Sequence, residues 1–305
     1  YDSQQPTLYA ATNINYNFKP IEVEVPQDVV HKADTKFETN TISVGKSDVA
    51  VNIPVNPQTN HNTFVLIIAN ENYRREVAVA YAINDGSTFK EYCEKTLGIP
   101  SKNIHFSKDA TFGEMRSELN WLAEVLKAYN GEAKAIVYYA GHGMPKEDDK
   151  TAYLLPVDGF SSDFETAIKL ETFYGKISEN RAQQVVVFLD ACFSGSQRGD
   201  GMLAEARGVS FVPKKELLQG NMVVISAASG SETAYPYKEK QHGMFTYFLL
   251  KKMQDTKGNV SLNELSEYIS TQVSRQSIVV NQKSQTPQVM FADSMKDIWK
   301  NIKLK

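Results

Sequence analysis

Two side chains able to do nucleophilic chemistry stand at matching places in this chain. Cys192, one of only two cysteines, follows the apolar, β-branched run Val185 to Leu189 within QQVVVFLDACFSG. His142, with Gly141 and Gly143 beside it, follows a similar run from Ala135 to Ala140, AIVYYA. Such runs are typical of strands buried on both faces of a parallel sheet. Open α/β sheets keep their chemistry just beyond the carboxyl ends of those strands. The 50 residues between the two leave room for one strand–crossover–strand excursion. A free thiol, with a pKa of about 8.5, is little ionised near neutral pH, so it needs a base beside it. An imidazole can take that proton and later give one to a leaving amine. The glycines let the chain turn sharply and admit a substrate backbone, and the N–H groups of Gly143 and Cys192 are candidate oxyanion donors. The plainer alternatives are a buried structural thiol at Cys192 and a satisfied core histidine at His142.

The elements that must carry these groups alternate in type. Strands are expected at Phe64 to Ala69, Ile104 to Ser107, Ala135 to Ala140, Val185 to Leu189, Met222 to Ala227 and Gln288 to Ala292, with a short extended piece at Tyr153 to Val157. A helix over Tyr81 to Leu97 puts Ala82, Phe89, Tyr92, Cys93 and Leu97 on one apolar face, and Gly98 ends it. Thr111 with Glu114 forms a capping box for a helix to Asn130, and Ser261 with Glu264 starts another that runs to about Arg275. Leu170 to Glu179 and Phe245 to Met253 complete the helices. The alternation predicts an α/β fold with a mainly parallel sheet covered on both faces.

Residues 1–62 differ in composition. They are rich in Asn, Thr, Val and Pro, and they alternate at Ile21 to Val25 and at Val49 to Ile53. They are expected to form a β-rich extension or pro-segment, with Pro54 and Pro57 marking the boundary to a domain over 63–305.

The HG after one apolar run and D-A-C-x-S-G after the next resemble the caspase-like cysteine peptidases of clan CD, nearest to their metacaspase-like bacterial members. A histidine some 50 residues before the cysteine is the spacing of that family. Animal caspases read QAC where this chain reads Asp190-Ala191-Cys192. The resemblance covers Phe64 to Ala292. It implies a caspase-like three-layer sandwich built on a six-stranded sheet. The activity it implies is that of a thiol protease whose acidic pocket takes Arg or Lys before the scissile bond. The pocket role falls on Asp85, in AINDG, and on Asp190, with Ser226 as a wall. A carboxylate in a partly desolvated pocket selects a cation because a neutral side chain leaves its charge unpaired. Each has a simpler reading: Asp85 as a helix N-terminal residue and Asp190 as a turn residue bonding its own backbone.

The loop from Ser196 to Gly220 offers Arg198, Arg207, Lys214 and Lys215 to an enzyme that cuts after basic residues, so a zymogen that cleaves itself there is expected. The rival expectation is a catalytically silent caspase-like domain that serves as a binding or scaffold module. His242, in QHGMFTY, is a second histidine before a glycine, but it ends no apolar run and reads as structural or at the rim. His31, His61 and His105 read as surface or loop residues.

The partners that the resemblance implies are peptide or protein substrates with Arg or Lys before the scissile bond, and composition only removes other classes. A net charge of −3 gives no reason to expect nucleic acid, and no apolar run approaches the ~20 residues of a membrane span. Two cysteines make no disulfide framework, and no His and Cys cluster has zinc-ligand spacing. No cofactor is expected. Some relatives by resemblance need calcium, but Glu147-Asp148-Asp149 and Asp158 with Asp163 lack a ligand spacing. Gly199-x-Gly201-x-x-Ala204 follows no strand and is no dinucleotide fingerprint. The chain begins at Tyr1 and not Met, as after leader removal or trimming, and export to a periplasmic or extracellular site is the favoured expectation.

Overall fold

The computed structural model describes residues 47–146, 151–193, 218–230 and 232–305. Strand β1 (Thr63–Ala69) leads through helix α1 (Ala82–Lys95) to β2 (Ile104–Lys108), and α2 (Phe112–Tyr129) leads back to β3 (Lys134–Ala140). A small antiparallel sheet of β4 (Gly143–Lys146), β5 (Thr151–Leu154) and β6 (Ile168–Lys169) precedes α3 (Leu170–Ser178) and β7 (Gln184–Asp190). After β8 (Met222–Ser226) come the two-residue strands β9 (Pro236–Tyr237) and β10 (His242–Gly243). Helices α4 (Met244–Thr256) and α5 (Leu262–Asn281) and strand β11 (Gln288–Phe291) follow.

The large sheet has the order β11-β8-β7-β3-β1-β2, with only β11 antiparallel to its neighbour. Right-handed crossovers fix the layers. The step from β1 to β2 runs one way along the sheet, whereas β2 to β3 and β3 to β7 run the other, so α1 lies on one face and α2 with α3 on the opposite one. Helix α4 packs on α1 and on α5, which completes the first layer. This is the six-stranded, mainly parallel sandwich expected from the sequence, and all six main strands stand where the apolar runs are.

The core lies at β3 and β7. Every residue of β7 and all but Lys134 of β3 are buried, since a strand covered on both faces has no solvated side. Phe89 of α1 stacks on Tyr138 with centroids 4.8 Å apart and meets Phe188 edge-on at 5.8 Å. Both halves of the Thr111 and Ser261 capping boxes form, so donors orphaned at each helix start are satisfied.

Two expectations need correction, and the placing of His105 and His61 is refined. Val49 to Ile53 is not a strand: Asp48–Ala50 is a 3-10 turn with Val49 fully buried. Its carbonyls find side-chain donors instead of a partner strand, Val49 O from the Tyr92 hydroxyl and Asp48 O and Val51 O from Gln254. Helix α5 continues past Arg275 to Asn281 through the β-branched Ile278-Val279-Val280. Ser277 is buried there and accepts from Gln285 N, which ties the last turns down. His105 is on strand β2, stacked on Trp121 at 3.5 Å and hydrogen-bonded to Glu118, while His61 is exposed. The alternation at Ile21 to Val25, His31, the Glu147-Asp148-Asp149 run and most of the 196–220 loop lie outside the described residues.

Candidate active site

Strands β3 and β7 are parallel neighbours in register, Ala140 opposite Asp190, so the segments that leave them run on side by side. Gly141 N donates to Asp190 O at 3.3 Å, which keeps the two chains paired one residue past the strand end. His142 and Cys192 therefore leave the same edge of the sheet. A Cβ at Gly143 would lie 2.5 Å from Cys192 O and 2.7 Å from the Phe193 ring, a separation only glycine allows.

His142 is nearly buried, and its surroundings hold it from three sides. Nε2 lies 2.7 Å from Val77 O, in the loop after β1. A carbonyl can only accept, so Nε2 carries the proton and Nδ1 is the basic nitrogen. The peptide N–H of His142 donates to the Tyr73 hydroxyl at 2.8 Å, and its carbonyl accepts from the Tyr139 hydroxyl at 2.8 Å and from Leu155 N at 3.1 Å. The Tyr73 ring packs on the imidazole with centroids 4.5 Å apart. A Cβ at Gly141 would strike both tyrosine hydroxyls at 2.7 Å.

Cys192 is 6% exposed, and its Sγ accepts from Ala234 N at 2.7 Å. The thiol also reaches Ala234 O at 3.6 Å, so residue 234 meets the sulfur with both a backbone donor and a backbone acceptor. Cys93 differs: it is fully buried in α1, and burial pushes its thiol far above the ordinary cysteine range.

Asp85 lies in the first turn of α1 and is fully buried. Its Oδ1 is 2.7 Å from His242 Nδ1, and Gly243 N donates to its Oδ2 at 2.9 Å. Asp190, the last residue of β7, is 1% exposed and accepts from the Thr246 hydroxyl at 2.7 Å. Thr246 Oγ1 in turn lies 2.7 Å from the Tyr138 hydroxyl. Ser226 ends β8, is 4% exposed, and donates weakly to Ala228 O at 3.5 Å. His242 is not at a rim but fully buried against Asp85.

Among the described residues no group of three or more His, Cys, Asp or Glu is disposed to hold a metal ion. Asp158 accepts from Phe112 N at the start of α2, far away in the chain, and Asp163 accepts from Glu165 N within its own turn, so each has a structural partner. No described helix is long and apolar enough to cross a membrane.

Sequence reasoning missed Val77, Tyr73, Tyr139, Ala234, Gly243 and Thr246. Val77, Ala234 and Gly243 act through their backbones, which leave no mark in residue type. The tyrosines read as core, and Thr246 as an ordinary helix residue.

The family described as Caspase domain, Peptidase_C14, matches residues 62–298 of this chain. A curated relative, "Paracaspase" of Dictyostelium discoideum, is 25% identical over 221 residues, which is 71% of this chain and 50% of that protein. The chain thus spans about half the length of that relative. Among solved structures, caspase-1 from Spodoptera frugiperda matches with a TM-score of 0.52 at 11% identity, over 79% of this chain and 91% of that one. At that identity the likeness is one of fold.

Proposed function

The chain belongs to the caspase-domain peptidase family, and from that premise we propose that it is a cysteine endopeptidase that cleaves after Arg or Lys. Cys192 is the nucleophile and His142 the base. Nδ1 of His142 takes the thiol proton, and Sγ attacks the scissile carbonyl carbon. The resulting oxyanion is held by the N–H groups of Gly143 and Cys192. On collapse the C–N bond breaks and the imidazolium gives its proton to the departing amine, leaving an S-acyl enzyme. Water, deprotonated by the same nitrogen, then attacks the thioester and restores the thiol. Asp85 and Asp190 supply the negative charge that recognises the basic side chain, and Ser226 walls the recess.

The observation that carries this reading is the imidazole with Nε2 on Val77 O, at the end of the strand registered beside that of Cys192. Proton transfer is assigned to the other ring nitrogen, Nδ1. Self-cleavage within 196–220 belongs to the same proposal and rests on the basic residues of that loop.

The test uses matched fluorogenic peptides ending in Arg, Lys or Asp, with Cys192→Ala as control, and mass analysis of the protein's own fragments. Arg and Lys turnover that Cys192→Ala abolishes is the expected result. Turnover of the Asp-ended peptide alone would remove the acidic-pocket roles but leave the thiol mechanism. A chain that turns over none of the three, and that a thiol-directed peptide warhead leaves unlabelled at Cys192, is a binding module instead.

A further inference from the structure

The two carboxylates assigned to basic recognition come from unrelated elements, Asp85 from α1 and Asp190 from the tip of β7, and yet one short stretch supplies donors to both. His242 Nδ1 and Gly243 N bond Asp85, and Thr246 Oγ1 bonds Asp190, all within the junction of β10 and α4. Gly243 is the N-cap residue of α4, so the positive end of a 13-residue helix faces the Asp85 carboxylate. We propose that His242 and Thr246 are positioning residues that aim the two carboxylates and so set the preference for a cationic side chain. This deepens the acidic-pocket reading and rests on it.

The hydrogen-bond directions favour that role. Thr246 has one proton, and a carboxylate can only accept it, so Thr246 donates to Asp190 and accepts from Tyr138. The relay runs one way from the β3 core to the pocket, and it fixes the rotor of the hydroxyl. The other ring nitrogen of His242, Nε2, is buried with no hydrogen-bond partner among the described residues. An imidazole kept only to fill space would be better replaced by an apolar ring, since a buried polar atom without a partner is costly. Its Nδ1 contact with Asp85 is what the ring gains, and the neighbouring Asn84 is held by donating its amide to Gln241 O at 2.7 Å. Neither His242 nor Thr246 is assigned a step in the proton transfers at Cys192. Their loss is therefore expected in substrate selection before it appears in turnover.

The experiment measures kcat and KM of the full chain on peptides that differ only in ending with Arg, Lys or citrulline, the uncharged isostere of Arg. Thr246→Val and His242→Leu are expected to lower the Arg-over-citrulline ratio of kcat/KM about tenfold or more, mostly through KM, as for loss of a hydrogen bond to a charged group. Thr246→Ser restores the hydroxyl, and His242→Asn restores a donor near Nδ1, so both should recover most of the ratio. A merely structural role predicts the opposite pattern: a lowered melting temperature and equal losses on Arg and citrulline peptides. That pattern, or failure of Thr246→Ser to rescue, overturns the inference. Should Thr246→Val melt below the assay temperature, His242→Asn decides. A retained ratio supports the donor role, and a ratio as low as that of His242→Leu sinks it. A wild type that prefers Arg while every variant keeps that preference overturns this inference alone. A wild type with no such preference overturns the acidic pocket and this inference together.

Discussion

Gly143→Ala isolates the spacing between the two strand tips. The added Cβ would sit 2.5 Å from Cys192 O, a backbone atom, where ordinary contact begins at 3.4 Å, so the tips must part by about 0.9 Å. The buried Phe193 ring is 2.7 Å away, and the carbonyl cannot move without the peptide that carries the thiol. A shift of about 1 Å between reacting groups can cost on the order of 100-fold in rate. The substitution leaves the Gly143 N–H in place, so the oxyanion donor is kept and the loss reports geometry. Gly175→Ala is the control: a Cβ there meets nothing within 4 Å, and in the interior of α3 it should stabilise by roughly 0.5–1 kcal/mol. The assay is steady-state kcat on an Arg-ended peptide, with thermal melts of both variants. We expect kcat to fall about 100-fold in Gly143→Ala with the protein still folded at the assay temperature, and no loss in Gly175→Ala. A folded Gly143→Ala enzyme with kcat within about twofold of wild type would refute the claim that contact at the tips sets the catalytic distance.

Other outcomes follow from the same structure. Iodoacetamide at neutral pH should modify Cys192 and spare Cys93, which is fully buried with its thiol pushed up by that burial; peptide mapping reads the ratio. Ser261→Ala removes one half of a formed capping box on α5 and should cost about 1 kcal/mol, seen as a lower midpoint in urea. Asp48 is partly exposed, and burial pushes its carboxyl up, but hydrogen bonding and charge from Lys240, with Tyr247 and Lys251, outweigh this and hold it below 3.8. A depressed folded pKa gives stability that is present above the unfolded value and lost as pH falls through the folded one. The stability gap between wild type and Asp48→Asn should therefore be constant at neutral pH and close below about pH 4 in acid titrations.

Most of the fold was legible because it is written in residue type. Runs such as VVVFL and AIVYYA have no polar face, so they read as central strands, and six short runs alternating mostly with amphipathic helices leave little but a mainly parallel sheet. What misled was local alternation without a partner. Val49 to Ile53 has the period of a strand, but among the described residues no neighbouring segment offers a ladder, and the donors that arrive are Tyr92 and Gln254. Propensity failed in the opposite sense at Ile278 to Val280, where β-branched residues suggest an end but packing at Ser277 carries the helix on.

The site divides along the same line. The thiol and the imidazole could be found because reactive side chains are rare and these two sit where apolar runs stop. Two of their supports could not, because they are backbone groups: Val77 O and Ala234 N. A carbonyl at position 77 looks the same whatever the residue, so its role depends on where the loop after β1 returns to the sheet. That return is fixed by the sheet order, since β1 and β3 are neighbours whose following segments diverge to opposite faces. The strand ends at that switch are therefore furnished by side chains the sequence names and by backbone it cannot.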